Sequence, residues 1–504
     1  MSTRVVAVVG GGITGLAAAW ELTQSDDPPR VVVLEGSPTL GGKLRTATVG
    51  GQPIDVGAES VLARRREALQ LLTEAGLGSA IVHPTSASAT IWSRRRHWPL
   101  PPRTLMGVPS DPASARGLLT PAEVDRLAHE PALPPVSDDL SVGDFVEARV
   151  GPAVVDRLVE PLLAGVYAGH ARRLSLRATV PALWAAAVRG DGLVATAARV
   201  AAAATTDERA VTVPDERDLA RTDRPAPPVF AGFRGGLGHA VVGLTDRLRQ
   251  AGVDLRTGST VRALARSATG WTVTVGPTTA PEQLQVDAVV LATPAPATAR
   301  LLRDVHHAAA AELATIDYAS IAIVSLALPR SMEPVVASIM RGSGFLVPPT
   351  EPVTIKAATF SASKWEWVNA LDPEVVHLRT SVGRAGDTAV LQRDDAELVA
   401  VALGDLTRVV GAGLPAPVDT HVQRWGGALP QYAVGHVDLV ARVLDGVGTL
   451  PGLEVAGAAY DGVGVPACIG SGRAAAGRVL AHLAHRAHLT HLTHRSGPDA
   501  TLGG

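Results

Sequence analysis

Val5-Val6-Ala7-Val8-Val9-Gly10-Gly11-Gly12-Ile13-Thr14-Gly15 decides how this chain is read. Five apolar residues in a row have the pattern of a strand buried on both faces. They run into G-x-G-x-x-G at Gly10, Gly12 and Gly15, and Leu16-Ala17-Ala18-Ala19-Trp20-Glu21-Leu22 follows, rich in helix formers. In that setting the glycines serve a tight turn, close approach of backbone to a pyrophosphate, and close packing of helix on strand. The helix start at Ile13 and Thr14 offers unpaired N–H groups and a positive dipole end to phosphates. Residues 31–34 read as a second strand, and Glu35 closes it about twenty residues beyond Gly15, where a carboxylate accepts from a ribose hydroxyl. A glycine-rich turn in some other α/β protein would not need this order of strand, helix, strand and acid.

Working outward, Gly41-Gly42-Lys43 follows the acid, and then Asp55-Val56-Gly57-Ala58-Glu59. Taken alone, Gly41-Gly42 reads equally as a surface turn. After the first fingerprint, this order resembles the FAD-binding amine-oxidase-like flavoproteins, in which a second glycine pair and a basic residue lie along the diphosphate and flavin. The resemblance points to FAD rather than NAD.

The bulk properties agree with an enzyme of this kind. At 504 residues the chain exceeds one compact core, so two or three domains are expected. A net charge of −2 gives no electrostatic reason to expect nucleic acid. Cys468 is the sole cysteine, so no intrachain disulfide forms, which fits a reducing cytoplasm. The first strand begins at once, leaving no room for a signal peptide, and the longest apolar runs, such as 319–328, are strand-sized, so no membrane span is expected. Lys43, Lys356 and Lys364 are the only lysines in an arginine-dominated chain, and all three fall in segments singled out on other grounds.

Along the chain, 66–76 reads as a helix. Arg94, Arg95 and Arg96 stand between Trp92 and Trp98, either a solvated basic loop or a carboxylate clamp at the mouth of an apolar cavity. Residues 121–204 have a helical pattern rich in Ala, Leu and Val. Within them Gly165 and Gly169 bracket Tyr167, and this break in the pattern predicts a loop approached by something flat. Residues 205–228 are charged and proline-bearing and predict a flexible linker. Strands are expected at 253–256, 271–275 and 288–291, the last ending at Ala292-Thr293-Pro294, with a helix over 239–250. Further strands at 319–328 and 374–383 suggest a second, mostly antiparallel sheet. A strand, glycine loop and helix over 453–484 would aim helix N–H groups at an electron-accepting ring. Beyond Ala484 the sequence predicts a disordered tail. His482, His485, His488, His491 and His494 recur every third residue, but threefold spacing walks around a helix and no acids join them, so no metal site is expected.

These segments together resemble one family. They are Gly165-Val166-Tyr167-Ala168-Gly169, Thr359-Phe360-Ser361 with Lys364-Trp365, Val382-Gly383-Arg384-Ala385-Gly386-Asp387, Ala428-Leu429-Pro430-Gln431-Tyr432 with Gly435-His436, and Tyr460-Asp461-Gly462-Val463-Gly464-Val465-Pro466 running on to Gly472. The combination is similar to the protoporphyrinogen/coproporphyrinogen oxidases, nearest their soluble, Gram-positive-type branch, from Val5 to about Leu483. His170 departs from the pattern, standing where the family carries Asp or Asn, and the linker is long. The resemblance implies an α/β fold: a discontinuous Rossmann-like FAD-binding domain (1–85, 228–300, 421–484), a mixed or antiparallel-sheet substrate domain (86–110, 301–420) and an all-helical insertion (111–204). The linker (205–227) and tail (485–504) complete the division.

The implied chemistry is six-electron oxidation of a porphyrinogen to a porphyrin by molecular oxygen with release of hydrogen peroxide, in haem biosynthesis. A meso hydride passes to flavin N5 while the macrocycle sheds N–H protons, so positioning is the main contribution and no general base stands out. FAD contacts are expected at Gly10, Gly12, Ile13, Thr14, Gly15, Glu35, Gly41, Gly42, Lys43, Gly57, Ala58, Val261, Ala292, Thr293, Gly457, Asp461, Val465 and Pro466. Gly165, Val166, Tyr167, Ala168 and Gly169 would position the macrocycle. Arg94, Arg95, Arg96, Gly169, Lys356, Lys364 and Arg379 are the candidates for substrate binding, the cations holding propionates. Coproporphyrinogen carries four propionates and protoporphyrinogen two; the branch favours the former. A transient contact with the next haem-pathway enzyme is also implied. Two other readings stay open: another flavin oxidase of this fold, which 3% aromatic content disfavours for an amine-binding cage, and a flavin-free chaperone-like relative, which the intact glycines and Glu35 disfavour.

Overall fold

The computed structural model describes residues 4–210, 228–331 and 334–495. At its centre is a five-stranded parallel sheet in the order Asp254–Arg256, Arg30–Leu34, Val5–Val9, Ala288–Leu291, Leu453–Val455. Side chains alternate across a strand, so Val6 and Val8 pack on one face and Ala7 and Val9 on the other. The first face carries helices Ile13–Thr23, Leu237–Gln250 and Val465–Arg495. The second is covered by an antiparallel three-stranded sheet (Val261–Arg266, Trp271–Val275, Glu282–Val286) and by helices Ala295–Leu302, His307–Ala314 and His436–Gly448. Burial on both faces is why the three central strands are almost continuously apolar.

A second, seven-stranded sheet has the order Asp419–Pro430, Tyr318–Pro329, Val375–Val382, Ile355–Thr359, Gly344–Leu346, Ala89–Ser93, Arg96–Pro99. It is antiparallel except where Gly344–Leu346 runs parallel to Ala89–Ser93. Helix Asp395–Val410 packs its buried Leu398, Ala402 and Leu406 into this sheet's core. Helices from Pro121–Ala128 to Leu193–Ala210 form a third, all-helical body around Phe145, Leu158 and Leu163.

Several expected boundaries move. Residues 421–430 belong to the seven-stranded sheet through pairing of Asp419–Pro430 with Tyr318–Pro329, and residues 301–314 pack against the parallel sheet. Hydrogen-bond partners far along the chain fix both assignments, and local pattern does not carry them. The expected linker begins inside a helix, since Leu193–Ala210 runs through 205–210; residues 211–227 lie outside the described residues. The expected tail is also helical at first, because Val465–Arg495 continues well past Ala484; 496–504 lie outside the described residues. Gly165, Val166 and Tyr167 are not a loop. They close helix Glu160–Tyr167, and the chain turns only at Ala168, with φ +50°. Burial of Leu163 and Tyr167 in the helical core outweighs one glycine's low helix propensity. No described helix is long and apolar enough to cross a membrane.

Candidate functional site

Where the parallel sheet meets the seven-stranded sheet and the helical body, one continuous cavity of about 1050 Å³ opens. Its dinucleotide end is built by the opening motif. A Cβ at Gly15 would stand 1.9 Å from the Gly10 carbonyl oxygen, and one at Gly10 2.6 Å from that of Ala292, so these two positions admit only glycine. Gly12 differs: nothing lies within 4 Å of its Cβ position, which faces the cavity. That open space beside the start of helix Ile13–Thr23, which no side chain caps, is a cradle for a diphosphate.

Glu35 Oε2 accepts the Gly11 N–H at 2.7 Å and Oε1 the Ser37 N–H at 2.7 Å, which fixes the carboxylate at the cavity wall. Each oxygen keeps a lone pair for a ribose hydroxyl. The second glycine pair lies alongside the first, the Gly41 N–H donating to Gly11 O at 2.8 Å. Lys43 lines the cavity with no hydrogen bond or ion pair to its side chain among the described residues, and burial among the surrounding walls lowers its pKa. Ile13, Thr14, Gly42, Gly57, Ala58, Val261, Ala292, Thr293, Gly457 and Val465 also line the space, so the sequence-predicted set largely converges on one surface. Gly15, Asp461 and Pro466 do not; Gly15 acts through packing beneath the loop. Donors, acid and open cradle fit an adenine dinucleotide. The N-terminal end of Val465–Arg495 supplies further N–H groups at the wall through Gly464 and Val465.

Beyond the dinucleotide end the cavity is mainly apolar. Ile321 and Ile323, two apart on one strand, and Leu346 of the same sheet line it together with Gly165 and Val166 of the helical body. Sequence reasoning missed Ile321, Ile323, Leu346, Tyr318 and Trp425. The strands of Tyr318, Ile321, Ile323 and Leu346 are mainly apolar, so no alternation marks which side looks into a cavity, and Trp425 stands in a largely polar strand with no motif around it. Of the five residues from Gly165 to Gly169, only Gly165 and Val166 line it. A Cβ at Gly169 would meet Gln431 Oε1 at 2.3 Å, so Gly169 packs against neighbouring protein and not against a ligand.

The predicted cations separate sharply. Arg94, Arg95 and Arg96 lie outside the cavity, at the turn between Ala89–Ser93 and Arg96–Pro99. Arg94 donates to the carbonyls of Gly117 and Leu118, and Arg94 and Arg96 lie over the Trp98 ring. Lys364 is also outside the lining; its Nζ stands 2.6 Å from Glu59 Oε1. Arg379 reaches the wall but is engaged: Nη1 donates to Gly57 O at 2.6 Å and Nε lies 3.3 Å from Glu59 Oε2. Burial raises the pKa of Glu59, but Arg379 and Lys364 outweigh it and hold the carboxyl below its ordinary value. These contacts tie the segment before Val61 to the seven-stranded sheet and to helix Ser361–Lys364. Lys356 alone of the substrate candidates both lines the cavity and lacks a carboxylate partner. Asp55, missed as a structural group, accepts the Leu237 and Gly238 N–H groups at the start of Leu237–Gln250, and burial pushes its pKa up to about 7.

Comparison with known proteins gives a consistent result. A family model described as flavin-containing amine oxidoreductase matches residues 13–480. The chain is similar to the coproporphyrinogen III oxidase of Mycobacterium tuberculosis, 39% identical over 488 residues, covering 95% of this chain and 97% of that protein. It is 30% identical to the Bacillus subtilis protein of the same name, over 95% and 98% of the two chains. Among solved structures, an Exiguobacterium protein provisionally named a protoporphyrinogen oxidase superposes with a TM-score of 0.79 at 30% identity, covering 95% of this chain and 99% of that one.

Proposed function

The chain belongs to the flavin-containing amine oxidoreductase family, and from that premise we propose that it oxidises coproporphyrinogen III to coproporphyrin III, with FAD as its cofactor. The observation that carries this reading is the single cavity in which a dinucleotide cradle continues into an apolar chamber roofed by Gly165 and Val166. A volume of about 1050 Å³ is at the top of the range for small-molecule sites, which suits a dinucleotide with a flat macrocycle beside it. Our reading takes molecular oxygen as the terminal acceptor: the macrocycle loses six hydrogens, and three O₂ become three H₂O₂. It also takes a cytoplasmic setting and a transient contact with the next haem-pathway enzyme.

Bound FAD would supply a two-electron acceptor. The residues of the chain bind, orient and exclude water. Glu35 and the N–H groups after Gly12 would anchor the cofactor, while Ile321, Ile323 and Leu346 would hold the macrocycle in the apolar chamber. Fixing two reactants face to face accounts for much of the barrier lowering when neither needs covalent activation. Lys43 places positive charge near the cofactor. The test is side-by-side aerobic oxidation of coproporphyrinogen III and protoporphyrinogen IX, followed by porphyrin fluorescence and peroxide yield. A larger kcat/KM for coproporphyrinogen, with three peroxides per porphyrin by the stoichiometry above, is expected. A purified protein without flavin, or one that oxidises neither compound, overturns the reading.

A further inference from the structure

Lys356 sits where the strand pairing of the seven-stranded sheet slips. Ile355 pairs with Val382 and Ala357 with Ser381, so Lys356 is the extra residue of a β-bulge. A bulge bends its strand and re-aims one side chain, and here that side chain enters the cavity wall. Lys356 is only 5% exposed, and its ammonium makes one hydrogen bond, to Gly383 O at 3.0 Å. Next to it Arg384 is 9% exposed, donates to Val347 O at 2.9 Å, and leaves its buried Nε without a partner.

Two buried cations side by side are costly unless an anion joins them. The charged and titratable groups of the surrounding elements are engaged elsewhere. Arg379 is held by Glu59, Glu160 pairs with His170, and His377 bonds Val49 O. Asp405 accepts the Thr354 and Ile355 N–H groups, Asp387 is in the turn after Arg384, and the Tyr167 phenol stays neutral. Glu160 and Asp387 lie near enough to offset part of the cost of burying Arg384, but burial outweighs them and lowers its pKa. Among the described residues no carboxylate forms an ion pair with Lys356 or Arg384. The cavity lining holds one acid, Glu35, at the opposite end.

We propose that Lys356, set into the cavity by the bulge and backed by Arg384, clamps a propionate of the macrocycle and so selects a carboxylate-bearing substrate. This rests on the porphyrinogen reading above. Burial, aided by the neighbouring Arg384 charge, lowers the Lys356 pKa to about 7, so a carboxylate arriving above that pH must bring a proton with it.

The experiment uses FAD-loaded enzyme and the variants Lys356→Met and Lys356→Arg, with flavin absorbance checking that each is intact. Wild type must first oxidise coproporphyrinogen; if it oxidises no porphyrinogen, the function reading falls and this proposal with it, before any variant is measured. Given that activity, Lys356→Met should raise both KM and the Kd of coproporphyrin III by about ten- to a hundredfold, the worth of one charge-assisted contact. kcat should stay within about threefold, since a remote carboxylate binds ground and transition states alike. Binding of the tetramethyl ester should not change. Wild-type kcat/KM should fall toward tenfold per pH unit above about 7. Lys356→Arg should restore affinity and flatten that fall. Calorimetry in buffers of different ionisation enthalpy should detect uptake of about one proton by wild type at pH 8 and none by either variant. An unchanged Kd in Lys356→Met, or a kcat loss at constant KM, overturns the proposal.

Discussion

Replacing Gly165 isolates the roof of the cavity from everything that holds the fold together. The residue lies inside helix Glu160–Tyr167 with ordinary helical backbone, and the nearest atom to its Cβ position is Leu346 Cδ2 at 3.9 Å. Gly165→Ala should therefore leave the fold intact and strengthen the helix by about 0.5–1 kcal/mol. Gly165→Leu carries its added atoms onward, and because Gly165 lines the cavity they occupy the apolar chamber. A macrocycle pushed about 1 Å from its partner loses on the order of a hundredfold in rate, or about 2.7 kcal/mol of transition-state stabilisation. The assay measures kcat/KM for coproporphyrinogen across Gly, Ala and Leu at this position, beside flavin content and Tm. The expected result is a stepwise fall in kcat/KM, reaching about a hundredfold at Leu, with flavin content unchanged. Turnover by Gly165→Leu within twofold of wild type would refute the view that this helix roofs the substrate.

Four further outcomes follow from the geometry. Gly12→Ala should fold but bind FAD weakly, because its Cβ enters the open cradle, whereas Gly15→Ala should lower stability as well, its Cβ overlapping the Gly10 carbonyl; absorbance and thermal melts separate the two. Arg94→Ala, Arg95→Ala and Arg96→Ala should each leave kcat/KM within about twofold, since none reaches the cavity, and a tenfold rise in KM for any one would place a propionate there after all. Lys364→Met leaves Glu59 buried but still paired with Arg379, so it should cost about 1.5–3 kcal/mol in a denaturant melt, the worth of one lost charge-assisted hydrogen bond. His170 stands between two acceptors, Glu160 Oε1 at 3.1 Å and Ala385 O at 2.9 Å, and the bond to Glu160 lifts its pKa. Because the folded-state value lies above the ordinary 6.5, its contribution is complete below about 6.5 and is lost as pH rises from there through the higher folded-state value, so Tm should drop over that interval in wild type and not in His170→Gln.

The dinucleotide end was legible because its determinants are local. The apolar run of Val5–Val9, the glycines at 10, 12 and 15, and Glu35 fall within one strand–helix–strand unit, and the short-range geometry of that unit sets where each points. The same holds for Trp271–Val275 and Ala288–Leu291, whose apolar patterns mark the strands without outside help. What tertiary structure alone decided is which charges are free. In sequence Arg94, Lys356, Lys364 and Arg379 are four equivalent cations. Folding brings Glu59, 305 residues away from Lys364, against both Lys364 and Arg379, and carries the Gly117 and Leu118 carbonyls to Arg94. A cation's role depends on whether a carboxylate or carbonyl reaches it, and that is settled by chain segments distant in sequence. Lys356 is left unpaired because a bulge, a one-residue slip between two strands, turned it toward a cavity that no neighbouring acid enters.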